Sequence, residues 1–320
     1  MKTILKIAAI LIFTACSGKS AQIQSMPKTD SKPTVSRLYT PNPIIPENIT
    51  IFDNTLNLCR NDLYERFDRE LTAFTYTHGN TLLVLKRANK YFPVIVPILK
   101  RNNIPEDMVY LAVIESNLDE RAYSPAKAAG IWQFMPATAR QYGLDVNEYI
   151  DERYNLEKAT EAACRYLKEA FSKYGDWNTV AASFNAGQAK ISNELASQQE
   201  NNALDLYLVS ETSRYPFRIM AMKTIMENPR MYGFEIAPNQ FYCPLEFDVI
   251  EVRTTIDDLV GWAKSHGITY SQLREANPWI RTKTLPNKSG KTYKIKIPKH
   301  QSINRREQNI PIYNQAWVSQ

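Results

Sequence analysis

The chain has 320 residues, 44% of them hydrophobic and 22% charged, with a formal net charge of +6. Such a composition suits a soluble globular protein and excludes a wholly disordered one. Ten glycines against 18 prolines exclude collagen, and three scattered histidines (His78, His266, His300) give no pair at metal-binding spacing, so neither a metal nor a cofactor is expected.

The first 16 residues, MKTILKIAAILIFTAC, place Lys2 and Lys6 before an apolar run from Ile7 to Phe13, then Thr14, Ala15 and Cys16. That run is shorter than the roughly 20 residues a spanning helix needs and has the proportions of a secretory signal. Cys16 after small residues resembles a bacterial lipobox, which implies lipidation of its thiol and a membrane anchor, expected in the outer membrane and facing the periplasm. Residues 17–48 carry five prolines and one aromatic residue and read as an extended tether. Cys59, Cys164 and Cys243 contain no CxxC and read as small core residues.

From 49 to 242 the sequence predicts an all-α domain. Helices are expected over 55–76, 80–92 and 94–101, then from Pro105 through MVYLAVIES, and over 136–142, 156–174, 176–196 and 211–228. Met108, Leu111, Ala112 and Glu115 fall at i, i+3, i+4 and i+7, so a carboxylate shares the stripe that builds core. Desolvation there raises a carboxyl pKa, as a general acid requires, although a salt-bridged structural glutamate has the same pattern.

Three blocks carry more information: ESNLDERAYSPAKAAGIWQFMPATARQYGL from Glu115, DWNTVAASFNAG over 176–187, and ETSRYPFRIMAMKTI over 211–225. In this order and spacing they resemble the soluble lytic transglycosylase catalytic domain, of goose-lysozyme-like fold, and in particular the membrane-bound lytic murein transglycosylase D type. The resemblance implies a mainly α, lysozyme-like domain. It implies cleavage of the β-1,4 bond between N-acetylmuramic acid and N-acetylglucosamine in peptidoglycan, leaving 1,6-anhydromuramyl ends. Glu115 matches the single catalytic acid/base. Ser116, Ser124, Gln133, Met135, Asn185, Glu211 and Tyr215 match residues that bind or position the glycan, and Gly130 matches a turn with close backbone approach. Phe184 departs from the family tyrosine whose hydroxyl is thought to touch the carboxylate, so a less firmly oriented Glu115 is expected. Asp119 and Glu120 read as solvated surface, and a 2-acetamido group on the substrate can replace a second carboxylate. A water-using muramidase and a non-catalytic peptidoglycan-binding or scaffolding protein remain alternatives.

Residues 249–298 change character: a strand, two short helices and the alternating strand KTYKIKIP resemble a βααβ LysM-like glycan-binding module, with LREANP (273–278) as the specific part and IDDL (256–259) standing for the usual GDTL. A structural cap on the catalytic domain is the other reading. Residues 249–320 hold 12 Lys/Arg against 5 Asp/Glu, whereas residues 16–248 are net negative, which suggests an anionic polymer as partner. Peptidoglycan rather than nucleic acid is expected. Ser289–Thr292 ends like a phosphate loop, but Leu285 stands where its first glycine belongs. Residues 299–320 read as a weakly structured tail.

Overall fold

The computed structural model describes residues 41–305 and 310–319. The signal sequence, Cys16 and the tether up to residue 40 lie outside the described residues. From Asn42 onward the chain forms one contiguous unit.

The first element is a hairpin, β1 (Asn48–Ile51) and β2 (Asn54–Asn57), where a helix was expected from residue 55. Phe52 and Asp53 both have positive φ, 53° and 61°, the backbone that closes a two-residue hairpin. Tertiary contact explains so unusual a turn pair: Phe52 is buried, and its N–H donates to Asp107 Oδ2 at 2.8 Å.

Helix α1 (Asn61–Tyr76) is followed by α2 (His78–Arg101), which runs unbroken through Pro93 and Pro97. Each interior proline costs on the order of 3 kcal/mol. Burial of Val84, Leu85, Ala88, Phe92, Ile95 and Leu99 along the same helix offsets it. A 3₁₀ turn over Glu106–Met108 leads into α3 (Val109–Ser116), buried from Val109 to Ile114. Then come α4 (Pro136–Gln141) and α5 (Leu156–Tyr174), the latter capped by the Asn155 side chain and ended by Gly175. The single helix expected over 176–196 is two, α6 (Trp177–Ala186) and α7 (Gln188–Gln198). Gly187, at φ 86° and ψ 141°, breaks it with a conformation that only glycine adopts freely. Helix α8 (Ser210–Glu227) packs on α1, α3 and α6 through the centre of the domain.

The C-terminal unit has the expected βααβ order: β3 (Phe247–Val252), α9 (Leu259–Ser265), α10 (Tyr270–Ala276) and β4 (Tyr293–Pro298). Strands β3 and β4 pair antiparallel, Phe247 opposite Pro298 and Val252 opposite Tyr293. Leu259, Ala263, Leu273, Trp279 and Ile295 form its core, and Ala129, Ile150 and Tyr154 of the first domain join the same cluster. The backbones also meet: Asp151 N donates to Trp279 O and Arg281 N to Tyr149 O, both at 2.8 Å. Lys296 pairs with Glu157 at 2.5 Å and Lys291 with Asp145. Part of the basic surplus thus serves the net-negative first domain.

Three expectations need correction at the edges. Residues 42–48 are not all tether, because Ile45 packs on the core and Leu58 N donates to Glu47 O. The described part of the tail packs on the fold: Trp317 is buried in the first domain and its Nε1 donates to Met226 O at 2.7 Å. Of the three cysteines only Cys164 lies in the core; Cys59 is exposed and Cys243 half-buried.

Candidate active site

Helix α3 ends where the chain must turn. Asn117 and Leu118 take positive φ, 51° and 55°, so Glu115 and Ser116 are its last helical residues. Met108, Leu111 and Ala112, on the same stripe, have no exposed surface. Glu115 therefore leaves the core face at the helix end and is half-buried rather than sealed. Its Oε1 accepts a 2.6 Å hydrogen bond from the Tyr215 hydroxyl. Tyr215 is fully enclosed within α8 packing, and burial, with the neighbouring Glu115, holds its phenol well above the usual range.

Burial pushes the Glu115 carboxyl up to about 7. The Tyr215 hydrogen bond and the positive charge of Arg218 act against that rise, and the negative charge of Glu211 adds to it. Glu211, Tyr215 and Arg218 are spaced four and three apart on α8, so they share one helix face. Desolvation outweighs the two stabilising contacts, and the acid holds its proton near neutrality while its conjugate base keeps a donor and a cation beside it. Beside this face lies a cleft of about 610 Å³, lined among others by Phe74, Asn117, Glu211, Arg218 and Met222.

The expected site residues divide by what they touch. Ser116 Oγ donates to Ala112 O at 3.1 Å and Ile131 O at 2.9 Å, tying the helix end to the following loop. Ser124 Oγ accepts from Ala128 N at 3.0 Å and closes the turn. Gln133, at φ 48°, turns its Nε2 back onto Gly130 O at 2.8 Å. Gly130 has φ 76°, and a side chain there would collide with the backbone oxygen of Arg153. Met135 is exposed, and half-buried Asn185 keeps its amide free of hydrogen bonds within the described residues. Phe184 packs edge-on against Trp132, Phe134 and Tyr166, with centroids 5.1–6.2 Å away. A hydroxyl does reach Glu115 Oε1, and it is that of Tyr215 on α8. Asp119 and Glu120, both half-buried, pair with Arg87 and Lys90.

Two residues escaped the sequence reading. Arg218 lies one turn beyond Tyr215, a signal available in the helical spacing. Arg153 lies far from every motif, and sequence gives no sign of it. Its guanidinium makes a buried bidentate pair with Asp151, at 2.9 and 2.7 Å, and donates to Lys127 O and Phe134 O. It thereby clamps both ends of the loop that Gly130 bends.

Residues 93–206 match the family described as the transglycosylase SLT domain. The chain carries an SLT domain. Residues 248–301 match the soluble lytic transglycosylase C-terminal LysM-like domain. The SLT match contains Glu115, Gly130, Gln133 and Asn185 and stops short of α8, so Tyr215 and Arg218 stand outside it. The chain is 30% identical over 251 residues to membrane-bound lytic murein transglycosylase D of Escherichia coli K12, covering 76% of this chain and 53% of that protein. It thus spans about half the length of that relative. A putative tributyltin chloride resistance protein of Alteromonas sp. M-1 is 27% identical over 139 residues, 43% of this chain and 67% of that one. The 70 kDa soluble lytic transglycosylase of Escherichia coli overlays with a TM-score of 0.36 at 20% identity, over 43% of this chain and 24% of that chain. Among the described residues no helix is long and apolar enough to cross a membrane.

Proposed function

We propose that this chain is a peptidoglycan lytic transglycosylase that cleaves the β-1,4 bond between N-acetylmuramic acid and N-acetylglucosamine, with Glu115 as acid and then base. The observation that carries the reading is the Glu115–Tyr215 pair: a half-open carboxyl that burial holds near pH 7, aimed by a buried phenol. Protonated Glu115 gives its proton to the bridging oxygen as the bond to the muramyl anomeric carbon breaks. The substrate's 2-acetamido oxygen can hold that carbon in the interval. The Glu115 carboxylate, steadied by Tyr215 and Arg218, then takes the proton of the muramyl 6-hydroxyl as that oxygen closes on the anomeric carbon. The carboxyl is restored and no water is consumed. Asn185, with its amide free, and exposed Met135 suit contacts to an acetamido group and a sugar face.

The same reading makes residues 49–242 the catalytic unit and 249–298 the glycan-binding module. It makes the chain an exported lipoprotein, held through Cys16 in the outer membrane and facing the periplasm. The charged start, short apolar run and cysteine after small residues support that placement. Digestion of purified sacculi by the wild type and by Glu115→Gln, with mass spectrometry of the products, tests the reaction. Anhydro products one water lighter than hydrolysed muropeptides are expected from the wild type alone. Products that retain the water would make it a muramidase, and sacculus binding without products would make it a scaffold.

A further inference from the structure

Where the LysM-like unit meets the loop after Glu115, the surface holds a groove of about 690 Å³, lined among others by Arg121, Tyr123, Tyr154, Arg274, Glu275 and Arg281. Its charges are not balanced. Arg121 pairs with Glu275 at 2.6 Å, and the neighbouring Arg153 pairs with Asp151. Among the described residues Arg274 and Arg281 meet no carboxylate. Arg274 donates from Nη1 to the Tyr270 hydroxyl at 2.9 Å, while its Nε is buried without a partner among the described residues. Arg281 lies over the ring of Tyr154, 4.8 Å from the centroid. Tyr123 keeps 59% of its surface exposed beside them. The Nη2 end of Arg274 and the guanidinium of exposed Arg281 have no acceptor among the described residues, and an incoming anion in the groove they line can supply one.

We infer that this groove binds a free carboxylate on the peptide branch of a peptidoglycan strand, held by Arg274 and Arg281 with the branch laid against Tyr123. The inference rests on the proposed substrate and adds a second place at which that substrate is read. The loop links the two places: Arg121 follows Glu115 by six residues, at most about 20 Å of chain. A nucleic acid would ask for a continuous basic track. In this groove Arg121 and Arg153 are engaged with Glu275 and Asp151, and the guanidinium forks of Arg274 and Arg281 remain. Such forks suit planar carboxylates.

The test uses the full chain and a disaccharide of N-acetylglucosamine and N-acetylmuramic acid bearing a tetrapeptide, with its carboxyls either free or amidated. Isothermal titration of the wild type is expected to show the acid form binding about tenfold more tightly or better. The ratio should approach one in Arg274→Gln/Arg281→Gln. It should fall partway in Arg281→Gln, an exposed change that leaves the fold in place. A ratio of one in the wild type, no binding of either form, or an unchanged ratio in the variants overturns the site. Sacculus digestion is run in parallel: cleavage without acid preference sinks this site alone, and acid preference without cleavage sinks the proposed activity alone.

Discussion

The Tyr215 hydroxyl reaches Glu115 Oε1 at 2.6 Å across 100 residues of sequence, joining the end of α3 to the second turn of α8. Two helices that pack in the core thereby fix one carboxyl oxygen, and the other has no hydrogen bond among the described residues. The pairing places a donor on the charged form of the acid, so it matters most after the proton has left.

Tyr215→Phe removes that donor with almost no change of volume. Loss of a hydrogen bond to the ionised form raises the carboxyl pKa, so Glu115 should titrate above its present value of about 7. The alkaline limb of the pH–rate profile should move upward, while the maximal rate falls about tenfold as the carboxyl loses its alignment. Measuring anhydromuropeptide release from pH 5 to 9 checks both. A lowered rate with an unmoved limb would mean that Tyr215 supports the fold and not the acid.

Glu115→Gln should abolish turnover and, above neutral pH, stabilise the protein. The carboxyl rises from an ordinary 4.5 to about 7 on folding. Between those values the native state keeps a proton that the unfolded chain has released, so wild-type stability falls as pH rises through that window. Glutamine has nothing to titrate. Urea unfolding of the two proteins should show a gap that widens in favour of the variant by about 1–3 kcal/mol between pH 4.5 and pH 8.

Helical spacing puts Met108, Leu111, Ala112 and Glu115 on one face, but a structural glutamate has the same pattern, and it was the resemblance carried by the three blocks from Glu115 that singled this acid out. The βααβ order was legible from the alternation of KTYKIKIP and the turn after LREANP. What escaped was set by contacts distant in sequence. The Phe52–Asp53 turn follows no common hairpin pair and is fixed by Asp107. Helix α2 survives two prolines because its flanks are buried. The cluster that the ring at 184 forms with Trp132, Phe134 and Tyr166 joins residues up to 52 apart in sequence and has no local pattern. The Arg153 clamp has no local pattern at all.

Gly130→Ala tests that clamp from the other side. Residue 130 holds φ 76°, and the added methyl would meet the Arg153 carbonyl oxygen, which is backbone and cannot swing aside. The strain of a positive φ and the collision together should cost about 3 kcal/mol or more. Because the loop ties to Ser116 through Ile131 O, turnover should fall by more than tenfold even where the protein remains folded. Thermal unfolding and sacculus digestion at a temperature well below the transition separate the two effects.

Trp317→Ala asks whether the last residues belong to the fold. The indole stacks near Phe241, meets Phe92 edge-on and donates to Met226 O at the end of α8. Truncating a buried tryptophan leaves a cavity and an unpaired carbonyl, a loss of about 3–5 kcal/mol. A free tail would lose nothing. Since α8 also carries Tyr215 and Arg218, the loss should come with a Glu115 titration that shifts when α8 loosens. Denaturant unfolding of Trp317→Ala beside the wild type decides the first point. A midpoint equal to that of the wild type would show that the C-terminal segment does not hold α8.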